Sequence, residues 1–179
     1  MTNRLLLLLV ALLFPFLVNA QQNYITVGEK LANVNIKTPD DKPTKIPFLG
    51  EKVLAIFYND PDVKDINDPL SDGIKAKHFS KEKYQGIGIA NCKDTWLPNT
   101  LIRYAGRQKQ AKYPSSIILV DDNYVISKAW KLGNCNELSY FIIVGSDSKV
   151  KYVKSVKSQE ESKAIIPVVL DILEKEINK

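Results

Sequence analysis

Two thiols offer the most distinctive chemistry in this 179-residue sequence. Cys92 and Cys135 are its only cysteines, and their spacing is unlike the Cys-x-x-Cys pattern of a thiol-exchange site. In an exported protein such a pair can form a structural disulfide, whereas in the cytosol both residues would usually remain thiols. A structural disulfide, a redox pair acting on protein thiols, and two unpaired thiols therefore stay open as interpretations.

Carboxylates are dense in the segment from Asp60 to Asp72. Calcium takes roughly six to eight oxygen ligands and is the metal that such a cluster would suit. The candidate ligands are Asp60, Asp62, Asp65 and Asp68. The Asp-x-Asp-x-Asp-Gly pattern of an EF-hand is absent and Lys64 interrupts the run, so this hypothesis depends on carboxylate density alone. Acidic residues at a helix start also complement the helix dipole without any metal.

The remaining composition excludes several kinds of site. One histidine, His78, and two cysteines are too few for a histidine-rich or four-cysteine zinc site. No Gly-x-Ser-x-Gly turn, glycine-rich phosphate loop or dinucleotide fingerprint occurs, so we expect no cofactor. The net charge of +5 is small and dispersed, which argues against a nucleic-acid partner. We expect His78 at the surface, near a helix end.

The first twenty residues have the pattern of a secretory signal peptide. Arg4 precedes a run of apolar residues from Leu5 to Val18, and Ala20 provides a small residue for cleavage. A helix of that length spans about 21 Å, short of the roughly 30 Å hydrocarbon core, so a membrane anchor fits less well. We predict cleavage after Ala20, one domain over residues 21–179, a periplasmic or secreted location, and no stable membrane anchor after cleavage.

Strand and helix patterns alternate along residues 21–179. The predicted elements are, in order, a buried strand at Lys52–Tyr58, a helix ending near His78, a buried strand at Tyr84–Asn91, a helix starting at Asp94 or Thr95, a hairpin over Ser115–Trp130, a hairpin over Ser139–Val153, and a helix after Ser158. Strand–helix–strand crossovers require parallel pairing, and hairpins add antiparallel strands. The order therefore predicts an α/β fold with a mixed sheet and helices on both faces.

Two of these helices carry specific expectations. The second helix would bury one face and tolerate Pro98 only in its first turn. Its expected buried residues are Trp96, Leu97, Leu101, Ile102 and Ala105. The last helix begins with the capping box Ser158-x-x-Glu161, and Pro167 should kink it or delay its start.

Several segments carry a resemblance to a known superfamily. They are Val27–Leu31 with Val34–Ile36, Ile46–Tyr58, and Tyr140–Val150. They resemble, in that order, the N-terminal segment, the strand that enters the active site, and the late hairpin of thioredoxin-like proteins of the redoxin type. With Tyr113–Leu132, the chain resembles the YtfJ family of exported thioredoxin-like proteins. The resemblance implies a thioredoxin-like mixed β-sheet flanked by helices on both faces.

The residues that perform redoxin chemistry are missing. In redoxins the loop after the first buried strand holds the reactive cysteine at a helix start, whereas Asn59–Pro69 contains no cysteine. No proline occurs in Asn134–Ser139, where the family places a cis-proline, and no arginine stands just before Tyr140. We therefore expect no ordinary thioredoxin or peroxidase activity.

The resemblance implies a role through binding instead of catalysis. We expect an exported domain without the standard redox motif that acts as a non-catalytic interaction protein for an unknown protein partner. In such a fold Cys92 and Cys135 lie at the same edge of the sheet, where a bond requires Cα atoms within about 7 Å. A thiol–disulfide oxidoreductase using these two cysteines is the alternative function, and a calcium-binding module at Asp60–Asp72 is the second.

Overall fold

The structure, a computed structural model, describes residues 24–179, so the predicted signal peptide lies outside the described residues. The strands are β1 (Asn35–Lys37), β2 (Pro43–Lys45), β3 (Val53–Asn59), β4 (Tyr84–Asn91), β5 (Ile117–Asp121), β6 (Ser139–Val144) and β7 (Val150–Val156). The helices are α1 (Asp68–Lys75), α2 (Asn99–Lys112), α3 (Val125–Ala129), α4 (Gln159–Ala164) and α5 (Ile166–Ile177). Within this range no helix combines the length and the apolar character that crossing a bilayer requires.

The seven strands form one mixed sheet in the order β2-β1-β5-β4-β3-β6-β7. The crossovers through α1 and α2 make β3, β4 and β5 parallel, as the sequence predicts. The hairpin of β6 and β7 adds two antiparallel strands beside β3. Strands β1 and β2 are absent from the expected elements, since three residues carry too little pattern to be recognised.

Alternation along the strands divides the core into two sides. On β3, Leu54, Ile56 and Tyr58 face a large cluster that contains the buried Trp130 beside α3. Val53 and Ala55 face the opposite cluster, which α1 and α5 cover. Burying one large apolar side chain contributes roughly 1.5–3 kcal/mol, so these two clusters supply the main stabilisation of the fold.

The first predicted hairpin is wrong in its second half. Residues that follow β5 form helix α3 instead of a returning strand. The cause is the Asp121 carboxylate, which accepts the backbone N–H groups of Val125 and Ile126, each at 2.8 Å. These bonds satisfy donors that a helix start leaves without partners, so they favour the helix locally.

Helix α2 begins later than predicted. Its first residue is Asn99, and Pro98 takes the capping position because proline fits no later than the first turn. Of the five residues expected on its buried face, Ile102 is buried, whereas Trp96 is 83% exposed and Leu101 is 55% exposed. The expectation of a buried face from Trp96 onward is therefore wrong: Trp96 lies before the helix begins, and Leu101 lies on its exposed face.

The end of the chain follows its sequence signals. The Ser158 hydroxyl accepts the N–H of Glu161 at 3.3 Å, which confirms the predicted helix start. Helix α4 ends before Pro167, and α5 begins with this proline in its first turn. Proline has no N–H to donate, so the interruption is the expected consequence.

Candidate functional site

Polar side chains collect where the parallel strands β3, β4 and β5 end. We name five of them the polar edge: Asn59, which is partly buried, and Asp60, Asn67, Asp121 and Ser139, which are almost completely buried. In open α/β sheets, ligands bind outside the carboxyl ends of the strands. Redoxins, which this sequence resembles, have their reactive cysteine at the position directly after β3. The side chains at this edge therefore bear on whether the chain can perform similar chemistry.

Asp60 lies directly after β3, and its carboxylate has a structural role. Its side chain is fully buried, and its two carboxylate oxygens accept the N–H of Asp62 at 2.9 Å and of Glu137 at 2.8 Å. The first bond caps the short turn Pro61–Val63, and the second ties this turn to the loop before β6. Because each oxygen accepts a backbone N–H, this carboxylate connects the Pro61–Val63 turn to the loop before β6.

A neutral network lies beside Asp60. The Ser139 hydroxyl donates to the Asn59 side-chain oxygen and accepts a side-chain N–H of Asn67. The Ser162 hydroxyl donates to the Asn67 side-chain oxygen at 3.4 Å. These four side chains join β3, β6, α1 and α4. Amides and hydroxyls of this kind carry no charge at neutral pH, so the network positions elements and supplies no acid or base.

Asp121 joins β3 to the start of α3. Besides its helix-capping bonds, its carboxylate accepts the Tyr58 hydroxyl at 3.1 Å in the buried interior. Burial, together with the neighbouring negative charge of Asp121, raises the pKa of the Tyr58 phenol far above its usual range. Tyr58 therefore keeps its proton throughout the physiological range and works as a hydrogen-bond donor.

A more accessible layer surrounds these buried groups. The Asp94 carboxylate accepts the Tyr124 hydroxyl at 2.7 Å and a side-chain N–H of Asn91. The Thr95 hydroxyl donates to Asp62 at 2.7 Å. The bond to Asp94 raises the pKa of Tyr124, since that carboxylate favours the protonated phenol. Within residues 24–179 no buried side-chain polar atom lacks a hydrogen-bond partner.

Both cysteines are buried and unreactive in character. Burial raises the pKa of the Cys92 thiol to about 11 and, with nearby carboxylates, that of Cys135 to about 12. The thiolate is the nucleophilic form of cysteine. At neutral pH neither residue therefore has an appreciable thiolate population.

The two thiols lie on opposite sides of the sheet. Cys92 packs with Ile102 and Val120 beside α2, whereas Cys135 belongs to the large cluster that contains Trp130. Both are free thiols in this arrangement. Sequence order predicts both thiols near the same sheet edge, but in the structure they pack into separate clusters. A disulfide between them stays a prediction, and it would require this part of the fold to rearrange.

The calcium candidates do not form a cage. Within the described part of the chain, no group of three or more His, Cys, Asp or Glu side chains is arranged to hold a metal ion. Asp60 points inward to backbone N–H groups, and Asp62 accepts the Thr95 hydroxyl. Asp65 is exposed, and Asp68 lies in the first turn of α1. Calcium at Asp60, Asp62, Asp65 and Asp68 therefore stays a prediction, and it would require these carboxylates to rearrange.

Apolar side chains are exposed beside the polar edge. Trp96 precedes α2, and Leu101 and Tyr104 follow within its first two turns, with Tyr104 57% exposed. Leu101 and Tyr104 are three positions apart, so they share one face of the helix. His78 is also exposed, as expected, in the turn after α1.

Comparison with known proteins identifies the family. The model of a family described as "Bacterial protein of unknown function (YtfJ_HI0045)" matches residues 51–175. The chain belongs to this family. The matched range runs from just before β3 into α5, so it contains the whole polar edge.

Two relatives of this YtfJ-family chain extend the comparison. An uncharacterized protein of Haemophilus influenzae is 32% identical over 108 residues, which are 59% of this chain and 58% of that protein. The chain thus spans less than two-thirds of that relative. The uncharacterized protein YtfJ of Escherichia coli is 26% identical over 189 residues, covering 98% of both chains.

A solved structure supports the fold. The crystal structure of a peroxiredoxin-like protein from Aquifex aeolicus superposes with a TM-score of 0.57 at 14% identity, covering 84% of this chain and 89% of that one. At this identity the likeness establishes the fold alone. The YtfJ-family chain therefore has the thioredoxin-like fold that its sequence segments implied.

Sequence reasoning missed most of the polar edge. Asn67, Ser139 and Ser162 gave no signal because Asn and Ser occur throughout exposed loops and rarely identify a buried network. For Asp60 a partial signal existed: an Asp directly before a proline is a typical cap for a turn. Its second partner, the N–H of Glu137, is supplied by a distant loop and is visible only in three dimensions.

Proposed function

We propose that this YtfJ-family chain is an exported, non-catalytic binding domain. The observation that carries the proposal is the state of Asp60. At the position where redoxins use an activated sulfur, this chain has a buried carboxylate committed to two backbone N–H groups. This carboxylate is fully buried and hydrogen-bonded to two separate loops, which supports a structural role at this position instead of a nucleophilic one.

The two thiols support the same conclusion. A redox pair requires at least one exposed, partly ionised sulfur that can attack a disulfide. Cys92 and Cys135 are 5% and 2% exposed, and burial raises the pKa of both. The separate clusters that contain them also keep one sulfur from resolving a mixed disulfide on the other.

Binding is supported by the exposed apolar surface beside the polar edge. Large apolar residues that stay in solvent as a group commonly mark a protein interaction surface. Trp96, Leu101 and Tyr104 are each more than half exposed within nine residues of sequence, and Trp and Tyr are the residue types enriched at binding hot spots. The partner that suits this surface is a protein with an apolar patch.

An insulin-reduction assay tests the absence of thiol chemistry. The mature protein is expected to give no turnover above the rate with dithiothreitol alone, while an active thioredoxin measured in parallel reduces insulin. Cys92→Ser and Cys135→Ser are the matched variants for the alternative function, a thiol–disulfide oxidoreductase. Turnover by the unmodified chain that is lost in both variants would establish that alternative and overturn the proposal.

Site-specific photo-crosslinking in cells tests the binding surface. A photoreactive residue at Tyr104 should give a discrete protein adduct. The same residue at Val168, which is 44% exposed on α5, provides the control. Adducts of equal yield at Tyr104 and Val168, or no adduct at either position, would contradict binding through the exposed residues Trp96, Leu101 and Tyr104.

Export is tested by the intact mass of the protein in cell fractions. The expected species is a periplasmic protein that begins at Gln21, because Ala20 fits the position before the cleavage site. Full-length protein in the cytoplasmic fraction would contradict export.

A further inference from the structure

A cavity lies on the sheet face that carries α1 and α2. Its volume is about 400 Å³, within the range of about 300–1,000 Å³ that small-molecule sites occupy. It extends from Asn59 and Asn67 of the polar edge to Lys81 and Tyr84 near the start of β4. Tyr84 pairs with Val53, six residues before Asn59, so the cavity follows the strands for roughly 20 Å.

Two glycines on β4 line this space, and the side chains of Ile118 and Tyr84 approach them closely. The residues of β4 alternate, so Ile87 and Ile89 enter the large core cluster while Gly86 and Gly88 face the cavity. A Cβ atom at Gly88 would lie 3.2 Å from the Ile118 side chain, and one at Gly86 would lie 3.2 Å from the Tyr84 hydroxyl. Neither glycine has a positive φ, so the backbone does not require glycine at these positions.

Positive charge surrounds the cavity. Its lining includes Lys64, Lys75, Lys81 and Lys109, and among the described lining residues Asp68 is the single carboxylate. The Lys75 ammonium is already engaged, 3.2 Å from Asp72 and 4.4 Å from the centre of the Tyr113 ring. The ammonium groups of Lys64 and Lys109 have no ion-pair partner within residues 24–179. We call this cavity, with β4 as its floor and these four lysines around it, the basic groove.

The floor of the basic groove is partly apolar. Phe57, Ile74, Phe79 and Ile118 line it, while Gln85 is already bonded to backbone carbonyls. A concave surface that carries one sign of charge concentrates ions of the opposite sign. Apolar lining with a few placed charges is typical of sites for small organic molecules.

We propose that the basic groove binds a small organic anion, with its apolar body over the β4 glycines and its carboxylate or phosphate beside Lys64 and Lys109. The cavity provides the volume, its aromatic and aliphatic floor favours an apolar body, and the unpaired ammonium groups favour the charge. This inference goes beyond the proposed function, since it holds whether or not the chain performs thiol chemistry.

Fluorescence titration with 8-anilinonaphthalene-1-sulfonate, an aromatic anion, tests the inference on the mature protein. Saturable binding is expected, with at least tenfold weaker binding of the uncharged N-phenyl-1-naphthylamine. Decanoate or decyl phosphate should displace the probe, and the more effective of the two identifies the preferred head group. Equal displacement by decanol, or equal displacement by inorganic phosphate, would overturn the proposed ligand class.

Variants locate the site and keep the inference falsifiable. Lys64→Gln with Lys109→Gln should weaken probe binding at least fivefold. The matched control is Lys42→Gln with Lys45→Gln, two exposed lysines near β2 that are outside the groove. Gly88→Val should abolish binding by filling the floor while the melting temperature shows that the fold persists. An equal effect of both lysine pairs, or unchanged binding in a folded Gly88→Val protein, would overturn the site.

Discussion

The polar edge and the basic groove are neighbours on one sheet, yet they treat their polar groups in opposite ways. At the polar edge, Asp60 and Asp121 each accept hydrogen bonds from backbone N–H groups of distant or following residues. In the basic groove, Lys64 and Lys109 surround an unfilled volume without carboxylate partners within residues 24–179. Buried polar groups that are fully paired stabilise a fold, whereas unpaired charge around a cavity can be satisfied by a ligand.

This contrast changes where function is expected in this fold. At the edge where redoxins place their reactive cysteine, the carboxylates of Asp60 and Asp121 accept the protein's own backbone N–H groups. The exposed surface at Trp96 and the groove between α1 and α2 remain available for binding. Five predictions test this contrast, in order of decreasing effect.

Removing the Asp60 carboxylate should destabilise the protein strongly. Asp60→Ala removes the carboxylate that accepts the part-buried hydrogen bonds of Asp62 and Glu137, and a hydrogen bond to a charged group contributes about 1.5–3 kcal/mol. We expect the free energy of unfolding, measured in urea, to fall by about 3 kcal/mol. Asp65→Ala, at an exposed position in the same segment, should change it little. Equal effects of the two substitutions would show that the hydrogen bonds of Asp60 to the two loops do not stabilise the fold.

The buried cysteines should react slowly with alkylating agents. A thiol pKa of about 11 for Cys92 lowers the thiolate population at pH 7.5 about a hundredfold relative to an ordinary thiol. Iodoacetamide labelling followed by mass spectrometry should therefore be about a hundredfold slower than for glutathione. Labelling at the glutathione rate would show that at least one sulfur is exposed and ionised.

The same pKa shift has a consequence for stability. A thiol whose pKa is raised on folding favours the folded state fully below the pKa of the unfolded chain, about 8.5, and loses this contribution as the pH rises toward 11. Urea unfolding of the reduced protein at pH 8, 9 and 10 should show a decline. The decline should be smaller in Cys92→Ala, which has no thiol to titrate at this position.

Removing the Tyr58 hydroxyl tests the second buried carboxylate. Tyr58→Phe deletes the 3.1 Å bond to Asp121 and should lower the free energy of unfolding by about 1.5 kcal/mol. Tyr152→Phe is the control, because the Tyr152 side chain is half-buried and forms no hydrogen bond within residues 24–179. If Tyr58→Phe leaves stability unchanged, the Asp121 carboxylate is satisfied by backbone N–H groups alone.

The smallest effect is expected at the floor of the basic groove. Gly88 has no positive φ, and the atom nearest to an added Cβ is the movable end of Ile118. Gly88→Ala should therefore leave the protein as stable as before or more stable by about 0.5 kcal/mol, since glycine weakens a strand interior. A substantial loss of stability in urea would mean that the fold itself requires this glycine, and the argument for a retained ligand space would fail.

Strong local patterns made much of the fold predictable. The apolar runs predicted β3 and β4 within one or two residues, and the Gly145–Ser148 turn predicted the β6–β7 hairpin. Where a distant or following polar group intervened, prediction failed. The segment after β5 has the apolar content of a strand, yet Asp121 converts it into α3.

The candidate site was less predictable than the fold. The missing cysteine after β3 could be read directly, but the state of Asp60 depends on the N–H of Glu137, which lies far away in sequence. No sequence pattern indicated the basic groove. The lysines around it come from separate segments that only folding brings together.

By itself the sequence determined the order of β3, α1, β4, α2 and β5, the late β6–β7 hairpin, the thioredoxin-like fold and the absence of a redox cysteine after β3, because short-range periodicity and residue identity are local properties. The tertiary structure alone decided which polar groups are paired and which side of the sheet each cysteine occupies. Pairing and facing depend on strand register and on contacts between distant segments, and no local pattern encodes either.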